Sequence, residues 1–194
     1  LAEPGAVRLE GLAPFGQPPF IFVAQHGRAA LLMPRESRAL VGSSAIDILG
    51  ALTGIALTPD DLRYVLSGCL PKTVQARTGV AYGQDWWTIE TSDGSLVYLR
   101  RVGDFRRIVA VRRSGWLSEY SELSGRVPAQ VRLTSLNPAS GAVDLTVLLS
   151  QVRINTTLDA ATFVLDIPPD AVPMTLSELR ARGPLRTSVE GAGG

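Results

Sequence analysis

Short runs of apolar and β-branched residues, separated by turn residues, dominate the chain. In its first part the runs cover residues 7–12, 20–25, 28–33 and 39–42, and residues 20–23 are continuously apolar. The later runs cover residues 74–82, 86–91, 95–101, 105–113, 116–123, 129–135, 143–155 and 161–167. Many short strands spaced by about ten residues predict a mainly β sandwich or barrel. A continuously apolar strand such as 20–23 is expected to be covered on both faces.

The breaks between the middle runs predict hairpins. They are Gly83-Gln84-Asp85, Asp93-Gly94, Gly103-Asp104 and Ser114-Gly115. These residue types tolerate the positive φ that tight hairpin turns require. Residues 74–123 are therefore expected to form an antiparallel meander.

Three segments depart from the strand pattern and predict short amphipathic helices. Ser44 stands three residues before Asp47, and Thr58 precedes a proline at the first helical position. Near the end of the chain, Thr175 and Glu178 have the spacing of a capping box. Helices this short must lay an apolar face on another element, so we expect them to cover the sheet.

The composition excludes several common kinds of catalytic and metal-binding site. The 194 residues suit one domain, and 19 basic against 18 acidic side chains leave a net charge of +1, which does not select nucleic acid. A single cysteine and a single histidine, His26, exclude a thiolate zinc site and a site with two imidazoles. The sequence has no Gly-x-Ser-x-Gly elbow and no glycine-rich phosphate loop. We therefore expect no enzymatic activity, metal or cofactor.

Residues 7–70 contain three motifs that resemble one known family. Gly11-Leu12-Ala13-Pro14-Phe15-Gly16 resembles a Pro-Leu-Gly loop that follows an early strand, with Phe15 in the leucine position. The segment 52–59 resembles a Leu-Thr-Gly stretch that leads into a helix, and 61–68 resembles that helix. In order and spacing the three are similar to the outer-membrane lipoprotein LolB and its relatives, a group that includes the periplasmic carrier LolA.

The resemblance implies a fold and a place in the cell. It implies one half-open antiparallel β-barrel domain over residues 1–186, with short helices covering an apolar cavity, and a flexible tail over 187–194. Members of the family carry a lipid on an N-terminal Cys, followed by a helix and one or two strands, and we expect the given sequence to begin after them. Cys69 follows a helix and does not match that anchor. We therefore expect a periplasm-facing outer-membrane lipoprotein, anchored through a Cys outside this chain.

The resemblance also implies partners and a membrane-insertion loop. The family binds acylated lipoproteins and transfers them to the outer membrane, so we expect a lipoprotein or lipid, a LolA-like carrier and a membrane surface as partners, and no nucleic acid. The insertion loop would comprise Leu12, Pro14, Phe15 and Gly16, with Phe15 as its exposed apolar tip. The competing interpretation folds Phe15 back onto the core, where burial stabilises by about 2 kcal/mol.

Two further sets of apolar residues are candidates for the cavity. The helical stripes form either a hydrophobic lid or ordinary core, and their members are Ile46, Ile48, Leu49, Leu52, Leu62, Val65 and Leu66. The aromatic candidates for the interior are Phe20, Phe22, Trp86 and Trp87. Trp86 and Trp87 are adjacent on a strand and therefore point to opposite faces, one of them inward and the other at a rim, and the alternative is two packing aromatics.

Six arginines fall on one proposed hairpin. They are Arg100, Arg101, Arg106, Arg107, Arg112 and Arg113. Their functional interpretation is a positive patch for anionic headgroups or an acidic partner, and the alternative is a solvated strand face. Because no aromatic platform interleaves them in sequence, nucleic acid is the weaker interpretation.

We therefore predict an envelope lipoprotein that binds acyl chains in an apolar cavity and helps to transfer or insert lipoproteins at the outer membrane. The first alternative is a carrier or sensor for another hydrophobic ligand on the same fold. A hydrolase built on a ligand-binding barrel and a purely structural envelope subunit also stay open.

Overall fold

The computed structural model describes residues 5–123, 127–136 and 143–182. It divides the chain into two compact units, one formed by residues up to Leu62 with those from Asn155 onward, the other by Arg63–Ile154. The described residues form a five-stranded and a seven-stranded sheet with three α-helices, which confirms a mainly β fold. The expected single domain over 1–186 stays a prediction, and the expected tail over 187–194 lies outside the described residues.

The elements follow in chain order. The first strands are β1 (Val7–Glu10), β2 (Ile21–Gln25), β3 (Arg28–Met33) and β4 (Arg38–Val41), and two helices come next, α1 (Ala45–Thr53) and α2 (Pro59–Ser67). The meander comprises β5 (Ala76–Tyr82), β6 (Trp86–Thr91), β7 (Leu96–Val102), β8 (Phe105–Arg113), β9 (Trp116–Ser121), β10 (Gln130–Ser135) and β11 (Asp144–Leu148). The last elements are β12 (Val172–Pro173) and α3 (Leu176–Arg182).

The first unit is built on the five-stranded sheet, ordered β1-β2-β3-β4-β12. Neighbouring strands are antiparallel, except that β12 runs parallel to β4. On one face Phe22 packs in a core with side chains of α1 and α3, such as Ile48 and Leu179. On the other face Val23 packs against Phe163. The continuous apolar run in β2 is therefore covered on both sides, as its sequence predicts.

The helix caps form at the predicted positions. The Ser44 hydroxyl accepts the Asp47 backbone N–H at 3.2 Å, and the Thr58 hydroxyl accepts that of Asp61 at 3.1 Å. At α3, the Thr175 hydroxyl accepts the Glu178 backbone N–H at 3.2 Å, while the Glu178 carboxylate accepts the Thr175 backbone N–H at 2.8 Å. This reciprocal pair is the capping box, so the local signals determined where these helices begin.

The carboxylate of Glu178 makes the first unit sensitive to acid. The Arg38 guanidinium donates to it at 2.6 Å, and this bond, with those from Thr175, lowers the pKa of Glu178 to about 2. A depressed folded-state pKa stabilises the fold at pH values above the ordinary value of 4.5, and this contribution is lost as the pH falls from 4.5 towards 2. We expect Glu178→Gln to lower the melting temperature near neutral pH, with the difference from the wild type shrinking over that acid range. Glu36→Gln, at an exposed glutamate of the same unit, is the control. A difference that persisted unchanged at acid pH would contradict this role.

One predicted strand is too long and another is wrong. The run 143–155 is a strand only over Asp144–Leu148, because Gln151 and Asn155 adopt positive φ angles of 55° and 56°, which an extended strand does not accommodate. The run 161–167 begins instead inside a 3₁₀ turn, Ala160–Phe163. The Asp159 carboxylate starts that turn by accepting the Ala161 backbone N–H at 2.9 Å. The turn directs Phe163 onto the second face of the first sheet.

The second unit contains the predicted meander as β5 to β9 and extends it by β10 and β11, with strands in the order β11-β10-β9-β8-β7-β6-β5. All its pairings are antiparallel, with β-bulges or irregularities beside Thr78 and Leu99. Its buried core consists of Val97, Val111, Tyr120 and Val131. The described residues thus place the meander turns where glycine and aspartate predict them.

Candidate functional site

The loop between β1 and β2 projects two large apolar side chains into solvent. Its base is closed by the pairing of Glu10 with Ile21 and by a hydrogen bond of 3.0 Å from the Gly11 N–H to the Phe20 carbonyl. Between these anchors Leu12 is 93% exposed and Phe15 is 90% exposed. The interpretation in which Phe15 folds back onto the core is therefore wrong.

Arg35 holds this loop in place. It lies in the 3₁₀ turn Pro34–Glu36 after β3, and its guanidinium donates to the carbonyls of Gln17 at 2.8 Å and of Phe15 at 3.2 Å. Gly16 has a φ of +79°, which reverses the chain at the tip, and Pro14 restricts it on the other side of Phe15. The loop is thus pinned through its backbone, and its apolar side chains are left without protein neighbours.

Exposure of this kind indicates an interaction surface. Leaving a phenylalanine side chain in water forgoes roughly 2 kcal/mol of burial free energy, and adjacent exposed apolar side chains mark contact sites more often than single ones. Leu12 and Phe15 stand three residues apart on one loop. We call Leu12, Pro14, Phe15 and Gly16 the projecting loop.

The stripe of α1 is core. Ile48, Leu49 and Leu52 are at most 3% exposed and pack with Phe22 and the other buried side chains of the first unit. They pack as ordinary core in this structure, the second of the two interpretations of this stripe. Ile46 is 38% exposed and lies outside that core.

The stripe of α2 is less covered. Leu62, Val65 and Leu66 are all half-buried. Leu62 packs against the core of the first unit, whereas Val65 packs against the core of the second.

The four aromatic candidates are divided between core and surface. Phe20 and Phe22 are buried in the first unit. Trp87 is half-buried, but Trp86 is 45% exposed, so the interior assignment of Trp86 is wrong. Consecutive strand positions point to opposite faces, and Trp86 occupies the face that solvent reaches.

The six arginines do not form one patch. The predicted hairpin is present, and its register pairs Arg100 with Arg107 and Arg101 with Arg106. Because successive side chains alternate, these two pairs lie on opposite faces of the sheet. Arg112 and Arg113 lie at the other end of β8, where Arg113 forms an ion pair with Asp93 at 3.1 Å.

Aromatic rings lie beside the arginines in the folded sheet, although no aromatic platform interleaves them along the sequence. The Arg100 guanidinium stands 5.6 Å from the Trp86 ring centroid, and those of Arg101 and Arg106 stand 5.9 Å and 4.3 Å from that of Trp87. The neighbours come from adjacent strands, so linear spacing does not reveal them. The expected absence of nucleic acid binding stays a prediction without that support.

The core face of the seven-stranded sheet keeps an apolar surface that is only partly covered. Seven half-buried apolar side chains surround its four buried ones, and they are Val65, Leu70, Ile89, Leu99, Ile108, Leu123 and Leu149. Burial raises the pKa of the Tyr120 hydroxyl from 10 to about 12, so this buried side chain stays uncharged even in alkaline solution. The surface suits an apolar ligand with few polar groups.

In the part of the chain that the structure describes, no three His, Cys, Asp or Glu side chains cluster to hold a metal ion. His26 is exposed in the β2–β3 turn, where it and Gly27 have φ angles of 50° and 75°. That geometry is typical of a hairpin turn residue. Among the described helices, none has the length and apolar character needed to cross a bilayer.

The fold and the site define a mainly β protein with a pinned, projecting apolar loop and a partly covered apolar sheet face. Comparison with known proteins finds no family whose sequence model matches the chain, and no curated protein that matches it.

Sequence reasoning missed Arg35, the residue that holds the projecting loop. Arg35 reaches across 18 and 20 residues to Gln17 and Phe15, and it binds their backbone carbonyls. The only local signal is a proline before it, which favours a turn. The interaction therefore becomes visible only in three dimensions.

Proposed function

We propose that this protein is an envelope lipoprotein of the LolB type, which binds acyl chains and helps to insert lipoproteins into the outer membrane. The observation that carries the proposal is the projecting loop, with Leu12 and Phe15 exposed and the backbone held by Arg35. The proposal includes the half-open barrel with its helix-covered cavity, the periplasm-facing location and a LolA-like donor. It involves no covalent chemistry.

The loop is suited to enter a bilayer. Transfer of a leucine or phenylalanine side chain from water into hydrocarbon stabilises by about 2 kcal/mol each. The loop backbone is already ordered by Arg35 and by its closed base, so little conformational entropy is lost on insertion. A contact of this size is reversible, which suits a protein that touches the membrane during each delivery.

The partly covered face of the seven-stranded sheet is the proposed acyl-chain surface. Ile89, Leu99 and Ile108 pair or neighbour one another across β6, β7 and β8 and are half-buried. An acyl chain gains roughly 0.8 kcal/mol for each methylene that it buries, so such a surface binds it without specific polar contacts. A carrier or sensor of another hydrophobic ligand would use the same face, and identification of the bound lipid separates the two.

Phe15→Glu tests the transfer function. We expect the rate of lipoprotein transfer from the protein to lipid vesicles to fall by roughly thirtyfold, because about 2 kcal/mol of side-chain insertion is lost and a charge opposes entry. Binding of the acylated lipoprotein before transfer should be unchanged. Both quantities are measured by co-purification of the acylated cargo and its later flotation with vesicles.

Val41→Glu is the matched control for that experiment. Val41 is also an exposed apolar residue of the first unit, at 60%, but it lies on β4 and outside the projecting loop. It should transfer cargo at the wild-type rate. Equal transfer by wild type and Phe15→Glu would refute the insertion role, and a wild-type protein that binds no acylated cargo would refute the carrier function.

A further inference from the structure

A second exposed apolar surface lies at one end of the seven-stranded sheet. The β5–β6 and β7–β8 turns lie at the same end because the meander is antiparallel. Around these turns Tyr82 is 61% exposed, Trp86 is 45% exposed and Phe105 is 67% exposed. The register places Tyr82 opposite Trp86, and Trp86 opposite Arg100.

Two cations accompany these aromatic side chains. The Arg100 guanidinium stands over the Trp86 ring, and that of Arg106 stands over the Trp87 ring on the other face of the sheet. Both are exposed, and among the described residues neither forms an ion pair. A guanidinium has five N–H donors in a fork that matches phosphate oxygens, and its attraction to an aromatic ring does not occupy them all. We call Tyr82, Trp86, Arg100, Phe105 and Arg106 the tip patch.

The charge of this end of the sheet is positive. Four arginines from β7 and β8 lie there, namely Arg100, Arg101, Arg106 and Arg107, against three described carboxylates of the turns at this end, Asp85, Asp104 and Glu122. Asp85 pairs with Arg101 at 3.3 Å.

We propose that the tip patch docks on the surface of a bilayer that contains anionic phospholipid. Tyr82, Trp86 and Phe105 lie at headgroup level, where amphipathic rings are most stable, and Arg100 and Arg106 donate to lipid phosphates. This surface goes beyond the projecting loop. It belongs to the other unit and adds a preference for lipid charge that two apolar side chains do not provide.

A bilayer fits the tip patch better than a single-stranded nucleic acid. Base stacking requires open aromatic faces, whereas arginines stand over two of the rings at this end of the sheet, those of Trp86 and Trp87. Phe105 and Val80, the latter 53% exposed, add hydrocarbon that a bilayer takes up and a phosphodiester chain does not. Binding of a single-stranded nucleic acid is therefore the alternative result that the experiment below must distinguish.

The test is flotation with vesicles of phosphatidylcholine, with or without about a third of phosphatidylglycerol. We expect the wild type to prefer the anionic vesicles and to lose that preference in high salt, which screens exposed charges. Arg100→Gln combined with Arg106→Gln should lower partitioning onto anionic vesicles by about thirtyfold, the effect of two basic residues near a charged surface.

The control removes two arginines from the opposite end of the same sheet. Arg77 and Arg112 are exposed, and Arg77→Gln combined with Arg112→Gln changes the net charge by the same amount. This variant should partition almost as the wild type does. Equal loss in the two double variants would show that net charge alone matters and would overturn the proposal.

Fluorescence gives an independent readout of the docked orientation. Brominated acyl chains should quench tryptophan emission of the wild type on anionic vesicles, and Trp86→Phe should remove a large part of that quenching. Quenching that Trp86→Phe leaves unchanged would overturn the proposed orientation. Binding of an oligothymidylate, lost in the Arg100/Arg106 variant while vesicle binding persists, would assign the patch to single-stranded nucleic acid instead.

The proposed membrane contacts of the projecting loop and of the tip patch can be tested separately. The Arg100/Arg106 variant should still bind acylated cargo, and Phe15→Glu should still distinguish anionic from neutral vesicles. Circular dichroism of each variant confirms that it is folded. Loss of lipid-charge preference in Phe15→Glu would overturn the assignment of that preference to the tip patch.

Discussion

Phe22→Ala is expected to lower the free energy of unfolding of the first unit by about 3–5 kcal/mol, the usual cost of emptying a buried phenylalanine site. Phe22 is 0% exposed and lies on β2, where it pairs with Leu9 of β1 on one side and with Leu31 of β3 on the other. Side chains of α1, including Ile48, close the same cluster. Neighbours held by two sheet pairings and a helix cannot collapse fully into the space, so a cavity persists.

The measurement is chemical denaturation followed by far-ultraviolet circular dichroism, which reports α1 and α3 of this unit. The matched control is Phe15→Ala, the same substitution at a side chain that is 90% exposed. It should change the free energy of unfolding by about 0.5 kcal/mol or less. Equal destabilisation by the two substitutions would contradict the assignment of one phenylalanine to the core and the other to the surface.

Gly11→Ala is expected to destabilise the first unit by about 1–3 kcal/mol, the range for inserting a methyl group into a packed site. A Cβ at position 11 would stand 2.6 Å from Pro19 Cγ and 2.9 Å from Phe20 Cε1. Phe20 is buried in the core, so it cannot swing away without opening that core. The glycine is therefore required by close approach at the base of the projecting loop.

Leu12→Ala provides the control for Gly11→Ala. It changes the next residue, whose side chain is 93% exposed, and it should be nearly neutral for stability. Thermal melting of both variants measures the difference. A Gly11→Ala protein as stable as the wild type would mean that Pro19 and Phe20 yield without cost.

The base of the projecting loop and the first core share a residue, Phe20. Gly11 and Phe20 form the hydrogen bond that closes the loop, while the Phe20 ring belongs to the first core. Pro19 fills the space beside Gly11. A rigid base of this kind presents Leu12 and Phe15 at a fixed position instead of leaving them on a mobile segment, which lowers the entropic cost of contact.

Local signals predicted most of the hairpins and helix starts. The strands Arg28–Met33, Trp86–Thr91 and Phe105–Arg113 have the predicted bounds, because turn residues with positive φ determine where adjacent strands end. The three capped helices begin where Ser44, Thr58 and Thr175 predict, since a cap is completed within a few residues of the chain.

A local cap and long-range packing together decided the elements that the sequence pattern misassigned. The run 161–167 is apolar enough for a strand, but the Asp159 cap and the burial of Phe163 make its first part a turn. The parallel pairing of Val172 with Arg38 joins residues 134 positions apart, which no periodicity encodes. The Arg8 guanidinium supports the same region by donating to the Thr162 and Val164 carbonyls, each at 3.1 Å.

By itself, the sequence determined a mainly β chain with an antiparallel meander, three capped helices and an apolar loop residue between Pro14 and Gly16. Turn, cap and alternation preferences act over a few residues, so they can be read along the chain. Only the tertiary structure decided that Phe15 projects, that the α1 stripe is core and that the arginines divide between two faces. Those outcomes depend on Arg35 reaching the loop, on helix packing and on strand register, which bring together residues far apart in sequence.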